Sequence, residues 1–175
     1  MSMHVLPVVF DPTTWSGRVL DVLDRAVLTA LLIAVAAMVG VVSAQVALRY
    51  GFNKSLDWAD EVARLAFVWS IFLAIPLGVR QGAHIGIDIV VEKLPPLPKR
   101  ALRRAGAATS AAMMLAIAWA ALSVAREQWD EFMSVLDWSV GWFIVPVGIG
   151  ALLSALHLIR IAIEGPPQIA AGSAE

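Results

Sequence analysis

The stretch RYGFNKSLDWADEVARLAFVW, Arg49 to Trp69, decides how this chain is read. It lies between two long apolar runs and still carries three acids, three bases, two tryptophans and a tyrosine. Ser55 suits a helix N-cap, and Asp57, Asp60 and Glu61 then fall in the first turns, where the positive helix end favours carboxylates. Asp60 and Arg64 stand four apart with the acid first, the better order for an ion pair. Trp58, Val62, Leu65, Trp69 and Phe72 then form one helical stripe. The stretch predicts a helix entering a membrane from an interfacial junction, with Asp60, Glu61 and Arg64 near its start. A charge at the bilayer centre costs ~2.5–3.5 kcal/mol on insertion scales, so such groups face protein or water. Arg64 is therefore expected to make a buried polar contact with another subunit.

Working outward, uncharged runs cover Ala26–Leu48, Leu65–Val79, Ala105–Ala125 and Trp138–Ile159. About 20 apolar residues cross a hydrocarbon core of roughly 30 Å. The second run is short, and the stripe from the junction completes it. The bulk numbers agree: 59% of the residues are hydrophobic and 15% charged, against about 25% charged in soluble domains. The predicted fold class is an all-α integral membrane protein with four transmembrane helices and an interfacial helical junction before the second span. Residues 1–25 read as an N-terminal cytoplasmic or interfacial segment, 26–164 as the four-helix transmembrane domain, and 165–175 as a disordered tail. The N-terminus lacks an h-region long enough for a cleaved signal. Pro146 is expected to kink the fourth span, and the prolines of KLPPLPKR to make a tight basic turn between the second and third spans.

Arg80, Lys93, Lys99, Arg100, Arg103 and Arg104 all fall between the second and third spans, whereas only Arg126 falls between the third and fourth. The positive-inside rule then places both termini inside. A net charge of −1 argues against nucleic acid as a partner. The absence of cysteine excludes disulfides, zinc–thiolate sites and iron–sulfur clusters.

Past the second run, Gly78, Gly82 and Gly86 repeat every four residues, and Arg80, His84 and Asp88 repeat likewise on another face. Small residues at that spacing let helices approach closely in lipid, here with a polar lock beside them. His84, Asp88 and Glu92 share one stripe, a weak metal pattern because zinc ligands usually come from more than one element. His84 and His157 could be paired for haem, but both lie at span ends. The intramembrane serines and threonine have no histidine base at suitable spacing. No catalytic residue, cofactor or metal is expected.

The series Arg49-Tyr50-x-Phe52-Asn53-x-Ser55-Leu56-x-Trp58-x-Asp60-Glu61-x-x-Arg64-x-x-Phe67-x-Trp69, followed by Arg80-x-x-x-His84-x-x-x-Asp88, resembles the small membrane subunit of TRAP transporters. These are the tripartite ATP-independent periplasmic systems. The match runs from Gln45 to Glu92, about a quarter of the chain, and departs at Asp60, where a glutamate pair is commoner. The resemblance implies a non-enzymatic small permease subunit in a bacterial inner membrane. A periplasmic substrate-binding protein captures an organic acid, often a carboxylate, and a large multi-span permease subunit carries it with coupling sodium ions. The small subunit packs against the large one as a scaffold. Candidate partner-binding residues are Arg49, Asn53, Trp58, Asp60, Glu61, Arg64, Trp69, Arg80, His84 and Asp88, with lipid as the remaining contact. The competing reading is a haem- or quinone-binding anchor of a redox complex.

Overall fold

The computed structural model describes residues 15–80 and 95–164. Four α-helices account for most of them: α1 Trp15–Phe52, α2 Ala59–Arg80, α3 Pro96–Glu127 and α4 Val145–Glu164. All four are long and apolar enough to cross a membrane, and no strand forms among the described residues. The 38 residues of α1 reach about 57 Å at 1.5 Å per residue, well past a hydrocarbon core of roughly 30 Å.

The helices pack in the order α1–α2–α4–α3, so chain order and spatial order differ. That order decides burial. In α4, which is flanked by α2 and α3, 39% of the apolar window is buried, against 6% in α1 at the edge of the row. Val79 of α2, Ala111 of α3 and Leu158 of α4 meet in a small core lined by Ile75 and Met114. α2 and α4 approach closely at one point. A Cβ placed on Gly150 would meet the backbone of Phe72, at the carbonyl oxygen and, at 3.1 Å, the carbonyl carbon. Pro76, four residues on, lacks the N–H that would bond that carbonyl within the helix. The proline thus leaves the Phe72 carbonyl turned to the neighbour, and only glycine leaves room for it.

Several local expectations are corrected here. α1 ends where Asn53 takes a positive φ of 54°, a conformation asparagine tolerates better than most side chains. The Lys54 N–H then returns to the Leu48 carbonyl at 3.2 Å. Ser55 does not cap α2: the Ala59 N–H closes a separate turn onto the Leu56 carbonyl, and the helix starts at Ala59 with Asp60 and Glu61 in its first turn. The connection in which KLPPLPKR is expected to turn, 81–94, lies outside the described residues, but the later prolines of that stretch belong to the helix that follows. Pro96 and Pro98 occupy the first turn of α3, where a missing N–H costs nothing, and the Lys99 N–H bonds the Pro95 carbonyl. Pro146 is likewise the second residue of α4 and produces no kink.

The connection between α3 and α4 is itself ordered. Phe132 and Ser139 pair as an antiparallel bridge, with the Met133 N–H on the Trp138 carbonyl and the Val140 N–H on that of Glu131. A 3₁₀ turn, Val140–Phe143, follows. The Ser139 hydroxyl caps it by accepting from the Gly141 N–H at 3.0 Å, and the Trp129 ring lies against Gly141, where a Cβ would meet it at 2.7 Å. The expected tail at 165–175 falls outside the described residues.

Candidate functional site

Polar side chains gather at the two ends of the helix row. One end holds the start of α1 and the last residues of α2. Arg80 Nη1 donates to Asp24 Oδ2 and Arg80 Nη2 to Asp21 Oδ1, each at 2.6 Å. On the other oxygen of Asp24, His157 Nε2 approaches Oδ1 at 2.9 Å. Asp24 is 4% exposed and His157 1% exposed. A carboxylate accepts hydrogen bonds and cannot donate them, so the imidazole must carry a proton on Nε2 to bond it. Nδ1 of His157 is buried without a hydrogen-bond partner among the described residues. An idle lone pair there is cheaper than an idle N–H would be. Three helices are thus pinned through one carboxylate: α1 carries it, and α2 and α4 bond it. Nearby, Arg104 Nη2 reaches the Ile163 carbonyl at 3.4 Å, joining the start of α3 to the end of α4.

The opposite end is built around Glu61. The backbone N–H of Val135 donates to its Oε1 at 3.0 Å and that of Leu136 to its Oε2 at 2.8 Å. Both donors sit at the tip of the α3–α4 loop, and their carboxylate partner is buried. One carboxylate in the first turn of α2 therefore holds the loop down. Beside it, Gln45 Nε2 donates to Asp60 Oδ1 at 3.2 Å, tying α1 to α2. Trp69 Nε1 donates to the Trp142 carbonyl at 3.1 Å, and the rings of Trp69, Trp142 and Trp129 follow one another with centroids 6.3 and 6.0 Å apart.

Replacing Glu61 by glutamine keeps the shape but exchanges two charge-assisted bonds for at most one neutral acceptor. Hydrogen bonds to charged groups contribute about 1.5–3 kcal/mol each. Glu61→Gln is accordingly expected to free the 131–140 loop with little change in the helices. Amide hydrogen exchange at Val135 and Leu136 should rise at least about tenfold in the variant; unchanged protection would remove the loop-holding role.

The candidate residues therefore separate. Glu61, Trp69 and Arg80 are engaged inside the chain, whereas Arg49, Asn53, Trp58 and Arg64 are exposed. Asp60 is exposed and bonded to Gln45 rather than to Arg64. The expected Asp60–Arg64 pair is absent because Gln45, on the adjacent helix, takes the carboxylate. Arg64 makes no ion pair among the described residues and points outward from the row. His84 and Asp88 lie outside the described residues. Sequence reading missed Asp21, Asp24 and Gln45. Two aspartates three apart at the lip of an apolar run, facing a lone histidine in another, were the available signal.

A family model for the DctQ component of tripartite ATP-independent periplasmic transporters matches residues 38–165, most of the chain. The chain belongs to the DctQ family. Among related proteins, the C4-dicarboxylate TRAP transporter small permease protein DctQ of Vibrio cholerae is 27% identical over 71% of this chain and 52% of its own length. The protein of the same description from Pseudomonas aeruginosa is 30% identical over 62% of this chain and 53% of its own. The sialic acid TRAP transporter permease protein SiaT of Haemophilus influenzae is 36% identical over 34% of this chain and 10% of its own. The chain thus spans about half the length of the first two relatives and a small part of the third. The DctQ match covers α2, α3 and α4 and the last 15 residues of α1, including both polar ends except Asp21 and Asp24.

Proposed function

We propose that this DctQ-family chain is the small, non-catalytic permease subunit of a TRAP-type secondary transporter, and that it scaffolds the large substrate-translocating subunit. The observation that carries the reading is how the polar groups are spent. Asp21, Asp24, Arg80 and His157 at one end, and Gln45, Asp60 and Glu61 at the other, bond one another across helices. They fasten helices together. A translocation path needs charged groups or broken helices near the bilayer midplane, and the carboxylates and their partners described here lie toward the helix ends, leaving the hydroxyls of Ser70 and Ser154 as the buried polar side chains at mid-helix.

The large subunit is the partner against which the row packs, and a periplasmic binding protein delivers the substrate, an organic acid carried as its carboxylate with sodium as the coupling ion. The chain resides in the bacterial inner membrane with both termini inside. The edge helix α1 offers the large subunit the least committed surface, with Leu28, Leu32, Ile33 and Val39 exposed along it. The exposed Arg64 supplies a polar contact beside that surface. The haem or quinone reading loses its second histidine, since His157 is committed to Asp24.

Association with the large subunit tests the reading. A tagged copy of this chain, co-expressed with the large subunit of its own system, should recover that subunit in mild detergent. Arg64→Ala should lower the recovery more than Arg103→Ala at equal expression. Failure of the unmodified chain to recover the large subunit would overturn the scaffold role.

A further inference from the structure

We propose that the first turns of α3, against the end of α4, form a binding site for the phosphodiester headgroup of an anionic phospholipid. Lys99, Arg100, Arg103 and Arg104 fall within an arc of about 140° at 100° per residue, so they share one side of the helix. The uncharged run that begins at Ala105 is about 31 Å long, which matches a hydrocarbon core of roughly 30 Å and sets these cations at headgroup depth. Arg104 reaches the Ile163 carbonyl at 3.4 Å, so the Arg104 edge of this side of α3 adjoins α4.

Lys99, Arg100 and Arg104 have no carboxylate partner among the described residues, and Asp21 and Asp24, which lie at this end, are held by Arg80 and His157. The helix terminus itself contributes little to anion binding. Pro96 and Pro98 carry no N–H, and that of Lys99 is bonded to Pro95. Attraction therefore comes from the side chains. Arg100 and Arg104, one turn apart and both exposed, can each offer a fork of donors to phosphate oxygens. A lipid suits the site better than free phosphate because its acyl chains continue along the exposed apolar side chains that follow, of which Met113 is one. The inference does not depend on which leaflet the site faces.

The test uses the full chain in nanodiscs of equal phosphatidylglycerol and phosphatidylcholine, with retained lipid read by native mass spectrometry. Juxtamembrane cations each contribute about 1 kcal/mol near an anionic surface, which is roughly fivefold per cation. The unmodified chain should keep phosphatidylglycerol over phosphatidylcholine by at least about fivefold. Arg100→Gln/Arg104→Gln should bring the ratio near one, and Arg126→Gln, at the far end of α3, should leave it unchanged. Millimolar inorganic phosphate should not displace the lipid. No preference in the unmodified chain, an unchanged ratio in the double variant, an equal loss in Arg126→Gln, or displacement by phosphate would each overturn the proposal.

Discussion

Replacing Asp24 by alanine is expected to destabilise the chain by about 3–5 kcal/mol, the range measured when one partner of a buried ion pair is removed. The effect is large because Asp24 serves two cationic or donor groups from two helices at once. Without it, Arg80 loses its buried carboxylate, and His157 keeps an N–H with no acceptor in a site that is 1% exposed. Asp21 is the internal control. Its side chain is 30% exposed and it contacts Arg80 alone, so Asp21→Ala should cost no more than about 1 kcal/mol. Midpoints of SDS-induced unfolding in mixed micelles would measure both. Equal midpoints for Asp24→Ala and Asp21→Ala would mean that the buried junction of α1, α2 and α4 contributes no more than a surface pair. Combining Asp24→Ala with His157→Phe should recover part of the loss, since the second change removes the stranded donor.

The four spans were legible because length and hydropathy alone are strong constraints in lipid: every backbone group must be satisfied within its own helix. Placing Asp60, Glu61 and Arg64 at the start of the second helix also succeeded, because a cluster of acids ahead of an apolar stripe fits the positive end of a helix. The partners of those residues were not legible. Glu61 bonds backbone N–H groups 74 and 75 positions away, and backbone donors carry no signature in the sequence. Asp60 prefers Gln45, whose amide became available only through the α1–α2 packing. The Asp24–His157 contact spans 133 residues. Each of its members looked ordinary alone, an acid at a span edge and a histidine near a span end.

Pro96, Pro98 and Pro146 are helix breakers by residue type, yet each stands in a first turn, where the N–H it lacks has no intrahelical acceptor. Position relative to the helix start, rather than the residue type, decides what a proline does. Pro76 shows the opposite case: it lies inside α2, and the carbonyl it leaves without a donor faces Gly150 of α4.

The second large effect concerns transport itself. If the polar groups of this chain serve only to hold its helices and meet partners, the chain alone offers a substrate anion no path, and uptake should depend wholly on the large subunit. A carboxylate crossing hydrocarbon unaided meets a desolvation cost of several kcal/mol or more, and none of the four described helices is interrupted near its middle to lower it. The contrast between the complex and the isolated chain should therefore be all or nothing. The direct measurement, for the transporter proposed above, is uptake of the radiolabelled organic acid bound by the system's own binding protein into proteoliposomes with an inward sodium gradient. Vesicles holding this chain with its large subunit should accumulate substrate, and vesicles holding this chain alone should match empty ones. Accumulation by this chain alone would contradict the account.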